Sequence, residues 1–261
     1  MSGAKGLQLT ERLRMIASHV PPGETVADIG TDHGYIPIWL LSEGITDRVI
    51  LTDINEGPLR KARKNFRKWL PDAEPELRQG PGLSVLRPGE AEVLLIAGMG
   101  GILISRILEA DPEIVSTASR LVLQPRNHSF TLRKYLRGLE HFAITEEQIA
   151  VEVRHYCEII TLTRRDLMSE EQRRMAEQVA GLEARLGLEE RIYDELPVAH
   201  VLTGRYPDYL EHKCRTERQV IESILTNGRT DYADSRRRRA EHRLAAFQKI
   251  KECQERMAQQ T

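Results

Sequence analysis

Val26-Ala-Asp-Ile-Gly-Thr-Asp-His-Gly-Tyr35 is the stretch whose reading decides the fold. It starts as an apolar strand and turns at Gly30 and Gly34. It then runs into Ile36-Pro37-Ile38-Trp39-Leu40-Leu41, which reads as a helix. Pro37 falls in the first turn of that helix, where a missing N–H costs nothing. A strand, a glycine turn and a helix form a nucleotide cradle, because glycine lets the backbone approach a ligand and the helix start offers free N–H groups. Beyond the helix, Ile50-Leu51-Thr52-Asp53 reads as a second strand ending in a carboxylate. At that spacing a carboxylate grips the hydroxyls of an adenosine ribose.

The turn is not a dinucleotide fingerprint, which would read G-x-G-x-x-G; here it is Gly30-Thr31-Asp32-His33-Gly34. Asp32 stands where a diphosphate needs bare backbone, and Asp28 lies just before the turn. Two carboxylates beside the cradle repel a diphosphate and suit a cationic, amine-bearing ligand. S-adenosylmethionine is such a ligand, whereas a nicotinamide-dependent oxidoreductase is disfavoured by Asp32.

Outward from the cradle, the chain alternates strands and helices. Thr10 caps a helix with Leu13, Ile16, Ala17 and Val20 on one face. Gly44 closes the helix after the cradle. Gly57-Pro58-Leu59 opens a basic helix whose Arg60, Lys61, Arg63, Lys64, Arg67 and Lys68 read mostly as a solvated face. A short strand near Glu76–Arg78 leads to Gly80-Pro81-Gly82. Val93-Leu-Leu-Ile-Ala-Gly-Met-Gly-Gly101 is an unbroken apolar run, as in a strand buried on both faces, with glycines at its end. Leu121-Val-Leu-Gln-Pro125 puts Gln124 at the same sheet edge. A helix around Phe130–Leu139 and strands near Ala143–Val151 and His155–Leu162 finish a doubly wound α/β sheet.

After Arg165 the texture changes. Met175, Val179, Leu182 and Leu186 form one helical stripe, Leu210, Cys214, Ile221 and Ile224 a second, and Leu244, Phe247, Ile250 and Met257 a third. The expected organisation is therefore an α/β domain over 1–165 and a small coiled-coil-like helical domain over 166–261. Arg236-Arg-Arg-Arg239, Arg243, Lys249 and Lys251 read equally as a solvated helix end and as phosphate contacts. The second reading holds only with a nucleic-acid substrate.

The 261 residues carry a net charge of −1, so global charge names no partner. Cys157, Cys214 and Cys253 show no disulfide or zinc spacing, and no metal is expected. The run Val93–Ser105 is too short to span a bilayer, and the N-terminus lacks a signal-like apolar core. A cytoplasmic protein without membrane contact is expected.

Several pieces together resemble the bacterial tRNA (adenine-22-N1)-methyltransferases: Leu9-Thr10-Glu11-Arg12-Leu13, Ala27–Tyr35, Thr52-Asp53, Gly57-Pro58-Leu59, Ala97-Gly-Met-Gly-Gly101, Leu123-Gln-Pro125 and Leu132-Arg133. The resemblance is close over roughly residues 8–165 and one of layout beyond. It implies a class I methyltransferase sheet with a helical C-terminal domain, S-adenosyl-L-methionine as cofactor, S-adenosyl-L-homocysteine as product, and tRNA as substrate. The cofactor is expected on Asp28, Gly30, Asp32, His33, Gly34, Tyr35, Asp53, Ile54, Gly80, Gly82, Ala97, Gly98 and Met99. Asp32, then the Gln124 side chain, are the expected catalytic groups. Two positions depart from the family pattern. Pro81 replaces an acid or amide, so either the backbone of Gly80 or Gly82 meets the adenine instead or the adenine contacts are weaker. Arg126 replaces an asparagine, so either Asn127 takes over that polarity or the target pocket differs. Methylation of another acceptor, or tRNA and cofactor binding without turnover, are the alternatives.

Overall fold

The computed structural model describes residues 6–152, 155–174, 176–177, 196, 207–227 and 231–258. The chain divides into two compact units, Met1–Ala176 and Glu177–Thr261. The first unit thus runs past the expected boundary at 165. Met168 is buried, and the Arg165 N–H donates to the His141 carbonyl at 2.8 Å, so this segment belongs to the sheet's own fold.

Seven strands form the first unit's sheet: β1 (Val26–Ile29), β2 (Val49–Asp53), β3 (Glu76–Gln79), β4 (Val93–Met99), β5 (Arg120–Pro125), β6 (Phe142–Glu152) and β7 (His155–Arg164). Their spatial order is β3-β2-β1-β4-β5-β7-β6. The first five are parallel, while β7 runs antiparallel to both β5 and β6. Among the described residues, helices α1 (Glu11–Ser18), α2 (Tyr35–Ser42), α3 (Glu56–Trp69), α4 (Gly101–Ala110), α5 (Pro112–Thr117) and α6 (Ser129–Arg137) accompany them.

Burial on both sheet faces explains the unbroken apolar strands. Ala27, Ile29, Leu94 and Ile96 join the core that holds Ile104 and Leu108 of α4 and Leu132 and Leu136 of α6. Val26, Val93 and Leu95 face the other way, into the core of Ile16 from α1, Ile38 from α2 and Phe66 from α3. The period-two alternation of strand side chains splits one apolar run between two cores. Helix ends follow local chemistry. Thr10 accepts the Leu13 N–H to open α1. Past the end of α2, Gly44 is left-handed (φ +67°) and Ile45 donates back to the Leu40 carbonyl, so the last turn's carbonyls find partners. α5, a single short element, was not anticipated by the sequence pattern.

Considered alone, the second unit pairs α7 (Pro207–Asn227) with α8 (Asp231–Ala258). Leu210, Cys214 and Ile224 of the second stripe and Phe247 and Ile250 of the third are buried, with Ile221 and Leu244 half-buried. Glu217 accepts two hydrogen bonds from Arg243, at 2.8 and 2.7 Å. The first stripe, Met175, Val179, Leu182 and Leu186, lies outside the described residues, as does the Met257 side chain. No helix among the described residues is long and apolar enough to cross a membrane.

Candidate active site

Connections from β1 and β4 depart in opposite directions along the sheet, so a crevice opens between them at the strands' C-terminal ends. Ligands of open α/β sheets bind at such a point. The first loop of the crevice is pinned by two bonds to one acceptor: the N–H groups of Gly30 and Thr31 donate to the Thr52 carbonyl at 2.8 and 2.9 Å. Gly30 is left-handed (φ +76°), and a β-carbon there would sit 1.9 Å from Cε of Met99. The loops after β1 and β4 therefore meet at Gly30 and Met99. Gly34 is left-handed too, at the start of α2, with Leu51, Ala62 and Phe66 closing on the space a side chain would need.

Three carboxylates surround this loop and differ in kind. Asp28 is buried; loss of hydration pushes its carboxyl up to about 6, partly offset by the neighbouring Thr31 hydroxyl and reinforced by the charge of Asp53. Asp53, at the end of β2, is half-buried and accepts the Asn55 N–H at 2.7 Å through one oxygen. Its carbonyl accepts the Gly80 N–H at 3.0 Å, which ties the Gly80-Pro81-Gly82 loop to the same edge. Asp32 is exposed and held from two sides: by Nζ of Lys61 on α3 and by Nε2 of His33, each at 3.1 Å. His33 in turn stacks on Tyr35, ring centroids 5.3 Å apart, and its carbonyl accepts from Asn65 at 2.9 Å.

The far wall is built from the ends of β4 and β5. Ala97 lies in register with Gln124, and a bulge follows between Ala97 and Met99. Gly98 is left-handed (φ +76°) with open space where a β-carbon would go. The next residues lock onto the loop after β5. Arg126 donates to the Met99 carbonyl at 2.7 Å and Gly101 to the Asn127 carbonyl at 2.9 Å. Gly101 admits no side chain, since a β-carbon would lie 2.4 Å from the His128 carbonyl oxygen. The Asn127 side chain lies against Gly100, at the wall where its polarity was expected.

Gln124 is buried, and both ends of its amide are engaged. Nε2 donates to the Pro125 carbonyl at 2.8 Å, and Oε1 accepts from the guanidinium of Arg12 at 3.0 Å. Arg12 also donates to Glu152, at the end of β6, at 3.0 Å. Burial alone would raise Glu152, but hydrogen bonds from Thr10 and Arg12 outweigh it and hold it below the ordinary range. α1, β5 and β6 are thereby joined at the rim of the crevice.

The structure brings together Asp28, Gly30, Gly34, Asp53, Gly80, Ala97, Gly98, Met99 and Gln124 along one sheet edge. Ile54, next to Asp53, is 62% exposed, an apolar side chain left open there. Asp32 stands apart: among the described residues its carboxylate contacts Lys61 and His33, and none of its hydrogen bonds reaches Gln124. The N–H of Gly80 is spent on Asp53, which leaves the Gly80 carbonyl and Gly82 as backbone groups for an adenine. Reading the residues one by one did not single out Arg12, Glu152 or Lys61. Arg12 stood in a matching piece, but its partners are 112 and 140 residues away, and no local pattern links them. A buried carboxylate, a second carboxylate at the ribose position and a bare glycine opposite fit an adenosine ligand carrying positive charge.

Residues 9–160 match the family model described as a methyltransferase domain. Over 146 residues the chain is 38% identical to the tRNA (adenine(22)-N(1))-methyltransferase of Bacillus subtilis; the match spans 56% of this chain and 61% of that protein. The crystal structure of the B. subtilis m1A22 tRNA methyltransferase superposes with a TM-score of 0.66 at 26% identity, covering 94% of this chain and 99% of that one. A candidate tRNA (m1A22) methyltransferase of Streptococcus pneumoniae, solved with S-adenosyl-L-methionine, superposes with a TM-score of 0.68 at 25% identity, covering 93% and 99%.

Proposed function

The chain belongs to the methyltransferase domain family, and from that premise we propose that it transfers a methyl group from S-adenosyl-L-methionine to N1 of adenine 22 in tRNA, in the cytoplasm. The observation that carries this reading is the pairing of acids with bare backbone at one crevice. Asp28 and Asp53 lie on one side, and Gly98, with open space above it, on the other. The B. subtilis relative's activity supplies the acceptor.

When bound, the cofactor supplies an electrophilic methyl on a sulfonium. Asp53 accepts from the ribose hydroxyls, bonds to a charged acceptor worth roughly 1.5–3 kcal/mol each. Asp28 faces the ammonium group, and Gly30 and Gly34 let the chain pass close to the methionine part. Ile54 would pack against the adenine, and the Gly80-Pro81-Gly82 backbone would supply its polar contacts. Gly98 and Met99 line the path of the methyl.

Adenine N1 attacks with an in-plane lone pair and has no proton to lose, so the chain needs no general base. Its work is alignment and charge stabilisation. As N1 gains the methyl, the N6 hydrogens become stronger donors, and an acceptor aimed at them favours the transition state. Gln124 Oε1 is an acceptor at the correct wall, with a second lone pair free beyond the Arg12 bond. Asp32 serves the same end only by leaving Lys61 or His33. N1 lies on the Watson–Crick edge, so a paired adenine must leave its stack, at a cost of a few kcal/mol. Arg236, Arg238 and Arg239, exposed on α8, supply phosphate contacts. Arg237 is engaged with Asp234 and Glu241.

Labelled S-adenosyl-L-methionine offered with unmodified tRNA, and separately with small amine and nucleoside acceptors, tests this reading. Label in tRNA alone is expected. Label in a small acceptor alone would assign a different substrate, and cofactor binding without label in any acceptor would leave a binding protein.

A further inference from the structure

α3 carries six cations, Arg60, Lys61, Arg63, Lys64, Arg67 and Lys68, against one carboxylate, Glu56. All six are exposed. The helix therefore bears +5, while the rest of the chain, with 32 basic and 38 acidic residues, sums to −6. Local structure accounts for part of this. Arg60 pairs with Glu56 at 2.7 Å, Lys61 with Asp32 at 3.1 Å, and Lys68 lies 4.4 Å over the Trp69 ring. Arg67 and Lys68 also occupy the last turn, where cations complement the free carbonyls.

Arg63 and Lys64 have neither explanation. They stand mid-helix, and among the described residues no ion pair or side-chain hydrogen bond engages them or Arg67. The spacing even works against the helix. Arg60 with Lys64, Arg63 with Arg67, and Lys64 with Lys68 are like charges four residues apart, which destabilise a helix. A face that only needed solvation would mix its signs. The position is equally specific. α3 begins directly after Asp53-Ile54-Asn55, and Lys61 reaches across to the cradle at Asp32. A large polyanion whose reacting base entered the crevice would carry its backbone past this face.

We propose that Arg63, Lys64 and Arg67 form a phosphate-binding surface for the RNA substrate on the catalytic unit itself, beside the cofactor cradle. This rests on the assignment of RNA as acceptor. The three guanidinium and ammonium groups would each displace counterions from a phosphate, so the contact is non-specific in sequence and steep in salt. Its role is to set the orientation of the RNA on the unit that holds the cofactor.

The test compares full-length protein with the variant R63Q/K64Q/R67Q, leaving Lys61 intact because it pairs with Asp32. Binding of an unmodified tRNA transcript is measured by fluorescence anisotropy across a KCl series, and S-adenosyl-L-methionine binding by calorimetry. We expect cofactor affinity unchanged within about twofold, tRNA affinity at moderate salt down by tenfold or more, and a log–log salt slope shallower by about 2–3. Equal tRNA affinity and slope in the two proteins would overturn the surface. Loss of cofactor binding in the variant would overturn it as well, by showing that these side chains serve the fold. A wild-type protein that binds cofactor and no tRNA would instead overturn the substrate assignment and this surface with it.

Discussion

Asp28 is a carboxylate placed where water cannot reach it, and its chemistry sets a pH dependence. Burial raises it from its ordinary value near 4 to about 6. The folded protein then binds the proton more tightly than the unfolded chain. Stability is lost as pH rises from about 4 to about 6, by about 3 kcal/mol for a shift of this size, and levels off above. Asp28→Asn should therefore gain stability over wild type progressively across that window, read from denaturant midpoints at several pH values. A wild-type-to-variant difference that ignores pH would remove Asp28 as the cause. A cation bound beside the carboxylate has the opposite interest, so affinity for S-adenosyl-L-methionine should climb as pH rises through about 6 and then flatten. Arg12 poses a different question at the same scale. It holds Oε1 of the buried Gln124 amide while Nε2 is held by the Pro125 carbonyl. Arg12→Ala should lower kcat roughly ten- to a hundredfold, the worth of a hydrogen bond to a charged group, with KM for the cofactor nearly unchanged. Arg12→Lys should recover part of the loss. A fall in cofactor affinity with kcat intact would place Arg12 elsewhere in the account.

Two glycines of one turn serve different elements, and substitution separates them. Gly34→Ala brings a left-handed backbone together with contacts of 3.1–3.3 Å to Leu51, Ala62 and Phe66, where α2, α3 and β2 pack. It should cost about 2–4 kcal/mol of stability. At Gly30 the obstacle is the mobile end of Met99, which can turn aside. Gly30→Ala should cost about 1–2 kcal/mol, mostly from backbone strain, yet weaken cofactor binding more, because the displaced Met99 lines the crevice. Denaturation and calorimetry on the two variants should rank them in opposite orders; the same order in both would show that the turn acts as one rigid piece. The elements around this turn were legible because each reports itself locally. Apolar runs gave the buried strands, Thr10 and Gly44 the helix ends, and Asp53 the close of β2. α5 escaped because six residues carry too little periodicity. The Arg12–Gln124–Glu152 link escaped because it joins three elements remote in sequence.

At the scale of the whole molecule, the order β3-β2-β1-β4-β5-β7-β6 is what converts scattered residues into a site. Asp53 ends its strand, Asp28, Gly98 and Gln124 each lie one residue before the end of theirs, and adjacency in the sheet brings them together. Strand existence could be read along the chain, and with it the sheet edge at which ligands of open α/β sheets bind. The partners of Asp32 could not, since Lys61 lies on a helix whose rotation only packing determines. Leu210, Cys214 and Ile224 of the second stripe and Phe247 and Ile250 of the third, read as helical, are buried on α7 and α8 within their own unit. The central claim is that this architecture methylates one ring nitrogen of one tRNA base, and nucleoside analysis tests it most directly. Two unmodified transcripts, one natural and one with adenine 22 replaced by guanine, are incubated with the protein and S-adenosyl-L-methionine, digested and separated. The account predicts N1-methyladenosine from the first transcript and none from the second. N1-methyladenosine from both, N6-methyladenosine from either, or no methylated nucleoside despite cofactor binding would contradict it.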